Sequence, residues 1–328
     1  MGALLHDIGH PPFSHTAEEL LPEGYDGHEA YTEALIRSEY IAPFLERFKL
    51  RFDLDEVVAV ALGPEKRPQD DSSLQLLGEI VTGQLGVDRM DYLVRDALHT
   101  GATAGRFDYH RLLNTLTVIP HPVTGMPVLA IEAGGRHSAE GLILARYFMF
   151  LQVYFHRVRR IYDIHLVDFL AASDCLDKGR FPTQLGKYLA LVDDTVQAEI
   201  SLAAADGGAL GELASRLRNR AHFRVEFEIP PKAKAEDSEI IKKIGEEMRQ
   251  RYGDLVRADE SSKEVYTLEG GELYVVDDDR NPHDLLQVSE LIQTLKPMWI
   301  GRVYAHPDVR GDVKKSCREF VDQGGEAE

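Results

Sequence analysis

The sequence contains very little cysteine. Among its 328 residues there are two cysteines, Cys175 and Cys317, and they lie far apart in the chain. Small secreted scaffolds depend on several cysteines at short spacings, so the composition argues against a disulfide framework. The cysteine content is typical of a reducing compartment, and we expect a cytoplasmic protein.

Long apolar runs are also missing from the sequence. No stretch approaches the roughly 20 apolar residues that a membrane-spanning helix needs. The first residues lack the basic and apolar regions of a secretory signal peptide. Hydrophobic residues nevertheless make up 44% of the chain, which is enough to build a large core. We therefore expect a soluble globular protein without a membrane partner.

Positive charge is scarce. Lysine and arginine together number 37 against 55 acidic residues, which leaves a formal net charge of -18. An acidic surface repels nucleic-acid backbones at long range, so the composition disfavours a nucleic-acid partner. It does not exclude an anionic small molecule, because such a ligand needs only a local cationic pocket.

The hydrophobic periodicity predicts a mostly α protein with two domains, residues 1–185 and 186–328. In the first part, HEAYTEALIRSEYIAPFLERF has helical spacing, VDRMDYLVRDALHTG reads as a helix that ends at Gly101, and TLTVIPHPVTGMPVLAIE reads as a hairpin. Residues 138–172 predict one long helix. The second part is mixed α+β: a strand at FRVEFEI, a helix at EIIKKIGEEMRQRYG, a hairpin that turns at Gly270 and Gly271, a helix at DLLQVSELIQTLK, a strand at IGRVYAHPD and a final helix.

The first chemically distinctive stretch is LLHDIGHPPFSH. Adjacent His6 and Asp7 point about 100° apart inside a helix, but at a helix end they can converge on one ion. An imidazole with a carboxylate suits divalent Mn, Fe, Ni, Zn or Mg. An isolated His-Asp pair is more often a surface histidine beside a capping aspartate. Here the glycine and the two prolines that follow predict a rigid loop, with His10 and His15 on either side of it and His28 on the next segment.

The second distinctive stretch is VDRMDYLVRD. On a helix, Asp88, Tyr92 and Asp96 lie four residues apart, so they form one polar stripe with Arg89 at its edge. An exposed face with ordinary Arg–Asp pairs, such as Asp91 with Arg95, is the alternative interpretation.

A third pattern lies in the predicted long helix. Arg146 and Arg157 are eleven residues apart and would share one face of an otherwise apolar helix. A buried guanidinium needs an anionic partner, and its planar shape suits phosphate. A phosphate contact and a structural salt bridge explain this pattern equally well.

Taken together, the three stretches resemble the HD-domain metal-dependent phosphohydrolases, and in particular their deoxynucleoside triphosphate triphosphohydrolase branch. The similarity is carried by LLHDIGHPPFSH, GHE at residues 27–29, VDRMDYLVRD followed by GRFDYHRLL, and VYFHR, all in the order that the family has. It covers most of residues 1–175 and continues more weakly into the C-terminal part. The implied fold is an HD-domain helical bundle followed by a smaller α+β region.

The resemblance implies a role for each matching residue. The implied metal ligands are His6, Asp7 and Asp88. The implied catalytic residues are His10, His15, Glu18 and His28. The implied substrate-binding residues are Arg89, Tyr92, Asp96, Arg146, Tyr154, His156 and Arg157. Within this set, Asp96 would accept a hydrogen bond from the sugar 3′-hydroxyl, and Tyr92 would exclude a 2′-hydroxyl.

The implied activity is hydrolysis of deoxynucleoside triphosphates to deoxynucleoside and tripolyphosphate with a divalent metal ion. The general acid would be a histidine, and His15 is our choice. The family also implies a homodimer or homotetramer and a regulatory nucleotide as a further partner. The basic stretch RLRNRAHFR, residues 216–224, fits that nucleotide, a nucleic-acid contact or a solvated helix end.

Relatives have a further metal-binding histidine on a helix that precedes the HD pair, and this chain has no residues at that position. We therefore expect a truncated start with weakened metal binding and activity. Two alternatives stay open at this point. One is an HD phosphohydrolase for nucleoside monophosphates, cyclic dinucleotides or (p)ppGpp. The other is a nucleotide-sensing regulator with an impaired catalytic site.

Overall fold

The structure is a computed structural model that describes residues 1–47, 53–68, 70–229, 235–263 and 273–324. The helices are α1 Gly2–Leu5, α2 Glu29–Ile36, α3 Ala42–Arg47, α4 Leu54–Lys66, α5 Ser72–Thr82, α6 Val87–Thr100, α7 Tyr109–Asn114, α8 Arg136–Met149, α9 Arg157–Ala172, α10 Leu185–Leu189, α11 Asp193–Asp206, α12 Gly208–Arg218, α13 Ala235–Tyr252, α14 Leu285–Val288, α15 Glu290–Gln293 and α16 Arg310–Gly324. The strands are β1 Leu116–Pro120, β2 Pro127–Glu132, β3 Arg224–Ile229, β4 Val256–Lys263, β5 Tyr274–Val276, β6 Pro282–Asp284 and β7 Met298–Ala305. The mostly α fold predicted from the sequence is confirmed.

The first of two compact units comprises the described residues of Met1–Met149, Phe181–Val192 and Tyr266–Leu295. It contains a four-stranded sheet in the order β1-β2-β5-β6, in which only the β2–β5 pair is parallel. Part of its helical core joins α1, α2, α3 and α4 through Leu5, Ile36, Leu45, Val57, Val58 and Ala61. Full burial of one such aliphatic side chain contributes about 1.5–3 kcal/mol, so this cluster anchors the short α1.

The second unit comprises the described residues of Phe150–Arg180, Asp193–Val265 and Lys296–Glu328. Its three-stranded antiparallel sheet has the order β3-β7-β4, and every residue of the central strand β7 is buried. The sheet packs against α13 and α16 through a core that includes Ile241, Ile244, Met248, Trp299, Val303, Val313 and Cys317.

Several local predictions are confirmed. Helix α6 ends where expected, because Gly101 has a φ of 73° and ψ of 7°, the left-handed conformation that glycine adopts without strain at a helix end. The hairpin pairs β1 with β2 in antiparallel register from Leu116–Ile131 to Pro120–Pro127. Strands β3 and β7 and helices α13 and α16 also match their predicted segments.

The prediction of one long helix over residues 138–172 is wrong. Helix α8 ends at Met149, a π-helical turn covers Phe150–Tyr154, and α9 begins at Arg157. The Phe155 amide bonds five residues back to the Phe150 carbonyl (2.7 Å), and His156 is extended with its ring accepting from the Val158 amide. The side-chain cap on α9 competes with helix continuation. Arg146 and Arg157 therefore do not share a face of one helix.

Two shorter predicted helices are interrupted as well. The stretch HEAYTEALIRSEYIAPFLERF forms α2 and α3, and DLLQVSELIQTLK forms α14 and α15, with the Ser289 hydroxyl capping α15. The hairpin expected at residues 270 and 271 lies outside the described residues. The domain boundary at residue 185 stays a prediction. In the part of the chain that the structure describes, none of the helices has the length and apolarity needed to cross a membrane.

His165 is the most deeply buried histidine of the second unit, with no exposed surface. Its Nε2 accepts a hydrogen bond from the Phe223 amide at 3.2 Å, which places the proton of the neutral ring on Nδ1. Burial, followed by the positive charges of Arg216 and Arg257, lowers the pKa of His165 to about 3. The second unit thus folds around an imidazole that resists protonation.

We expect His165 to make the protein sensitive to acid. Its folded-state pKa lies below the ordinary value, so the unfolded chain takes up the proton first and stability falls as the pH drops from about 6.5 toward 3. Between about pH 7 and pH 5 the loss from this group is about 1–2 kcal/mol. Urea unfolding of the His165→Gln variant, whose amide cannot titrate, should show a smaller loss over that range.

His99→Gln is the control for this measurement, because His99 is an exposed histidine on α6. It should keep the pH dependence of the wild type. If His165→Gln also keeps that dependence, His165 is not the group that makes the protein acid-sensitive.

Candidate active site

The His6-Asp7 pair lies where α1 ends, as its sequence requires for convergence on one ion. His6 is the residue that follows α1, and its Nδ1 donates to the Ala3 carbonyl at 3.0 Å. This bond directs Nε2 toward the carboxylates, where its hydrogen bond with Asp88 raises the pKa of His6, and a bound metal ion would take the place of the Nε2 proton. Nε2 lies 3.4 Å from Asp7 Oδ2 and 3.2 Å from Asp88 Oδ1.

These three residues form a donor set that fits a divalent metal ion. One atom from each of His6, Asp7 and Asp88 lies within 4.8 Å of the other two. Ligand atoms that surround a metal at about 2.1 Å are themselves separated by roughly 3 Å, so only small side-chain adjustments are needed. One nitrogen and two carboxylate oxygens suit Mn, Fe, Zn or Mg rather than a soft metal.

Asp7 is kept ionised by its neighbours. Burial acts to raise the pKa of Asp7, but the hydrogen bond with His28 and the charges of His6 and His10 outweigh it, so the pKa lies below its ordinary value. A ligand carboxylate must be deprotonated to bind a metal, and this arrangement favours that form.

Beside this donor set, three imidazoles surround the Glu18 carboxylate. Glu18 Oε1 lies 2.6 Å from His28 Nδ1, 3.1 Å from His15 Nδ1 and 3.8 Å from His10 Nδ1. The rings of His10 and His28 stack with centroids 3.6 Å apart, and the Nε2 atom of each lies 3.6 Å from Asp7 Oδ1. The same four residues also form a set with metal-ligand spacing. His10 and His28 therefore lie between Glu18 and the donor set of His6, Asp7 and Asp88.

The local backbone explains how these side chains come together. His15 and Glu18 lie on a 3₁₀ helix over Ser14–Leu20, and His28 directly precedes α2. Phe13 and Ser14 have positive φ values of 63° and 57°, a left-handed conformation that is strained for residues other than glycine. Such strain is concentrated at functional sites, where the surrounding structure holds it in place.

The two stacked imidazoles favour opposite protonation states. Burial, followed by the positive charge of His28, lowers the pKa of His10 to about 4. For His28 burial acts in the lowering direction, but hydrogen bonds with Asp7 and Glu18 outweigh it and raise the pKa to about 9. Burial also opposes ionisation of Glu18, yet its bonds with His15 and His28 hold its pKa far below the usual range. The cluster thus contains a neutral imidazole next to a protonated one.

The polar stripe predicted on α6 is present. Asp88, Tyr92 and Asp96 are all partly buried on this helix, whereas Asp91 pairs with Arg95 at 2.9 Å on its exposed side. The predicted Asp91–Arg95 surface pair is thereby confirmed.

Arg146 of α8 lies beside this stripe. It shares a side-chain hydrogen bond with Tyr92, and burial together with the nearby charge of Arg89 lowers its pKa. Burial also raises the pKa of Tyr92, so its phenol stays protonated. Arg89 itself donates to Gln84 Oε1 at 2.8 Å. Two guanidinium groups that repel each other in a half-buried environment create a region that favours an anion.

Three predicted substrate-binding residues belong to the second unit. The Tyr154 ring packs on Phe150 at 4.9 Å, the His156 ring caps α9, and the Arg157 carbonyl accepts from the Tyr304 hydroxyl at 3.0 Å. Their roles in substrate binding stay predictions.

Three residues near the candidate site were not singled out from the sequence. Gln84 holds Arg89, while Thr32 and Tyr188 hydrogen-bond to the backbone of the His6–His10 loop. One local feature of the sequence could have identified Thr32: it lies four residues after His28 and so on the same face of α2. Tyr188 had none, because it bonds to a residue 179 positions away.

Profiles of two protein families match this chain. The family described as an HD domain matches residues 1–96, and the family described as an HD associated region matches residues 107–323. The uncharacterized protein YwfO of Bacillus subtilis is 34% identical over 181 residues, which cover 54% of this chain and 37% of YwfO. Human deoxynucleoside triphosphate triphosphohydrolase SAMHD1 is 29% identical over 203 residues, which cover 54% of this chain and 32% of SAMHD1. The matched regions thus amount to roughly a third of these relatives' length.

Two crystal structures share the fold. A hypothetical protein from Aquifex aeolicus superposes with a TM-score of 0.79 at 34% identity, covering 96% of this chain and 78% of that one. A phosphohydrolase from Bacteroides thetaiotaomicron superposes with a TM-score of 0.68 at 23% identity, covering 92% and 78%. At that identity, the second superposition shows the fold alone.

We expect the donor set to bind Mn²⁺, and we expect binding to depend on Asp88. Replacing Asp88 with Asn keeps its shape and removes the negative ligand, so the affinity for Mn²⁺ should fall about tenfold or more. The measurement is the electron paramagnetic resonance signal of free Mn²⁺ during titration. Asp91→Asn is the matched control on the same helix and should bind like the wild type. Equal affinities for the two variants would show that Asp88 is not a ligand.

Proposed function

This chain belongs to the HD-domain phosphohydrolase family, and on that basis we propose that it hydrolyses deoxynucleoside triphosphates to deoxynucleoside and tripolyphosphate. The observation that carries the proposal is the order of side chains along α6. Asp88, a residue of the metal-binding donor set, is followed by Tyr92 and Asp96 on the same stripe. With a rise of 1.5 Å per residue, they lie about 6 Å and about 12 Å along the helix from Asp88. These separations suit a sugar joined to a phosphate near Asp88.

The charges around the stripe favour a polyphosphate. Arg89 is next to Asp88, and Arg146 is bonded to Tyr92, so two guanidinium groups lie near the junction between donor set and stripe. Guanidinium groups bind phosphate oxygens in pairs of parallel hydrogen bonds. They would stabilise the negative charge that develops on the phosphoryl oxygens of the triphosphate while the bond from the α-phosphorus to O5′ breaks.

Tyr92 and Asp96 have side chains that suit recognition of the sugar. A carboxylate at Asp96 accepts a hydrogen bond from a 3′-hydroxyl. The half-buried Tyr92 ring, held by Arg146, leaves little freedom to admit a 2′-hydroxyl. A site built in this way discriminates by crowding and by hydrogen bonding rather than by affinity for the base.

The histidine cluster supplies the proton transfers. Water attacks the α-phosphorus while the bond from phosphorus to O5′ breaks. The neutral His10 imidazole accepts the proton from water, and His15, which is 67% exposed and bonded to Glu18, donates a proton to O5′. Glu18 and the protonated His28 fix the two rings in place. A bound divalent ion would add Lewis-acid polarisation of a phosphoryl oxygen.

The activity test is tripolyphosphate release from the four deoxynucleoside triphosphates in the presence of Mn²⁺ or Mg²⁺, measured by ion chromatography. We expect release by the wild type and a loss of at least about a hundredfold in Asp7→Ala, because a ligand of the metal is removed. Asp91→Asn should retain full activity. Release of inorganic phosphate or pyrophosphate, or hydrolysis of nucleoside monophosphates alone, would contradict the proposed reaction.

Sugar selectivity gives an independent prediction. Tyr92→Ala removes the ring and should raise the kcat/KM for a ribonucleoside triphosphate relative to its deoxy counterpart by about tenfold or more. Tyr92→Phe retains the ring and should keep the preference for deoxyribose. The kcat/KM ratios of paired substrates measure both effects. If the wild type already hydrolyses ribonucleotides equally well, the proposed role of Tyr92 is wrong.

A further inference from the structure

The loop that follows α1 is held by a buried hydroxyl group. Thr32 Oγ1 donates to the His6 carbonyl at 3.1 Å and accepts from the Gly9 amide at 3.1 Å, and the residue has no exposed surface. One side chain therefore closes both ends of the His6–Gly9 turn. Because Asp7 lies inside this turn, the orientation of the Asp7 side chain depends on the two hydrogen bonds of Thr32.

A second buried hydroxyl group holds the same loop from another segment. The Tyr188 hydroxyl of α10 donates to the Gly9 carbonyl at 2.6 Å. Burial raises the pKa of Tyr188, so the phenol remains a donor. Its ring stacks on Tyr31 with centroids 3.7 Å apart and an interplanar angle of 6°. Both polar groups of the Gly9 backbone are thus bonded to side chains that are themselves packed.

The loop packs tightly against α2 at Gly9. A Cβ atom added at Gly9 would lie 2.2 Å from the Thr32 amide nitrogen and 2.3 Å from the His28 carbonyl oxygen. Gly9 therefore packs directly on the first turn of α2, the turn that His28 precedes. This contact fixes the distance between the His6–Gly9 turn and the Glu18–His28 pair.

From these contacts we infer that Thr32 and Tyr188 are positioning residues, which align the metal-binding donor set with the histidine cluster. Neither residue is among the proposed metal ligands or proton-transfer groups. Each bonds only to backbone atoms of the loop in the described contacts, and the loop carries His6, Asp7 and His10. Groups that orient metal ligands in this way typically change metal affinity or activity by about 10–100-fold when removed. The catalytic part of the inference rests on the proposed function, whereas the metal-binding part does not.

The test compares Thr32→Val and Tyr188→Phe, which remove one hydroxyl group each and keep the remaining shape. We expect Mn²⁺ affinity to fall about tenfold in both variants and kcat to fall similarly, with little change in KM. Thr32→Ser retains the hydroxyl and should recover both quantities. A purely structural role would change the melting temperature without this division between kcat and KM.

Tyr31→Phe is the matched control. Its ring belongs to the same buried stack, but its hydroxyl donates to the Pro182 carbonyl at 3.0 Å and not to the loop. It should lower the melting temperature as Tyr188→Phe does, while Mn²⁺ affinity and kcat stay at wild-type values. If Tyr188→Phe and Thr32→Val match Tyr31→Phe in Mn²⁺ affinity, the inference is overturned.

The two kinds of readout separate this inference from the proposed function. Mn²⁺ affinity is measured without substrate, so it decides the positioning role even if the wild type releases no tripolyphosphate. Activity in the wild type with unchanged kcat in both hydroxyl variants would instead support the proposed function and contradict the positioning role.

Discussion

The convergence of His6, Asp7 and Asp88 is the constraint on which the rest of the site depends. His6 and Asp88 are 82 residues apart in the chain, yet their side chains approach to 3.2 Å. Asp7 and Asp88 both lie against the His6 imidazole, and two carboxylates in one partly buried cluster repel each other unless a cation or a protonated imidazole lies between them. Hydrophobic packing of α1 through Leu5 and hydrogen bonds to the following loop hold the arrangement. A bound divalent ion would replace this repulsion with attraction.

The histidine cluster solves a related electrostatic problem. Three imidazoles this close cannot all carry a positive charge, and Glu18 can stabilise only some of them. The pKa values of two of the histidines therefore shift in opposite directions. His28, with two carboxylate partners, has its pKa raised to about 9, while the stacked His10 has its pKa lowered to about 4. Pairs of groups whose environments separate their pKa values are typical of sites that both donate and accept protons. At neutral pH the cluster therefore holds a neutral imidazole against a protonated one.

The local sequence pattern was sufficient to predict some parts of this site but not the others. The stripe of Asp88, Tyr92 and Asp96 was predictable because helical periodicity is a property of neighbouring residues. The break at His156 was not, because a bond spanning five residues and a side-chain cap leave no signature in hydrophobic spacing. The contact of Tyr188 could not be predicted for a different reason. Its hydroxyl donates to a backbone carbonyl, and every residue has such a carbonyl, so the sequence does not mark the partner. Contacts of this kind depend on the tertiary fold.

The acidic composition is compatible with the proposed anionic substrate. The electric field of the net negative charge and the field of the local arginines act over different distances. A net charge of -18 spreads over the whole surface, and salt screens its effect beyond about 8 Å at physiological ionic strength. Arg89 and Arg146 act over a few ångströms, in half-buried surroundings where a charge is screened much less. The overall charge therefore discourages extended polyanions such as nucleic acids, which contact a wide surface. The proposed triphosphate substrate would contact only the region around the two guanidinium groups, so the net charge of the surface does not argue against it.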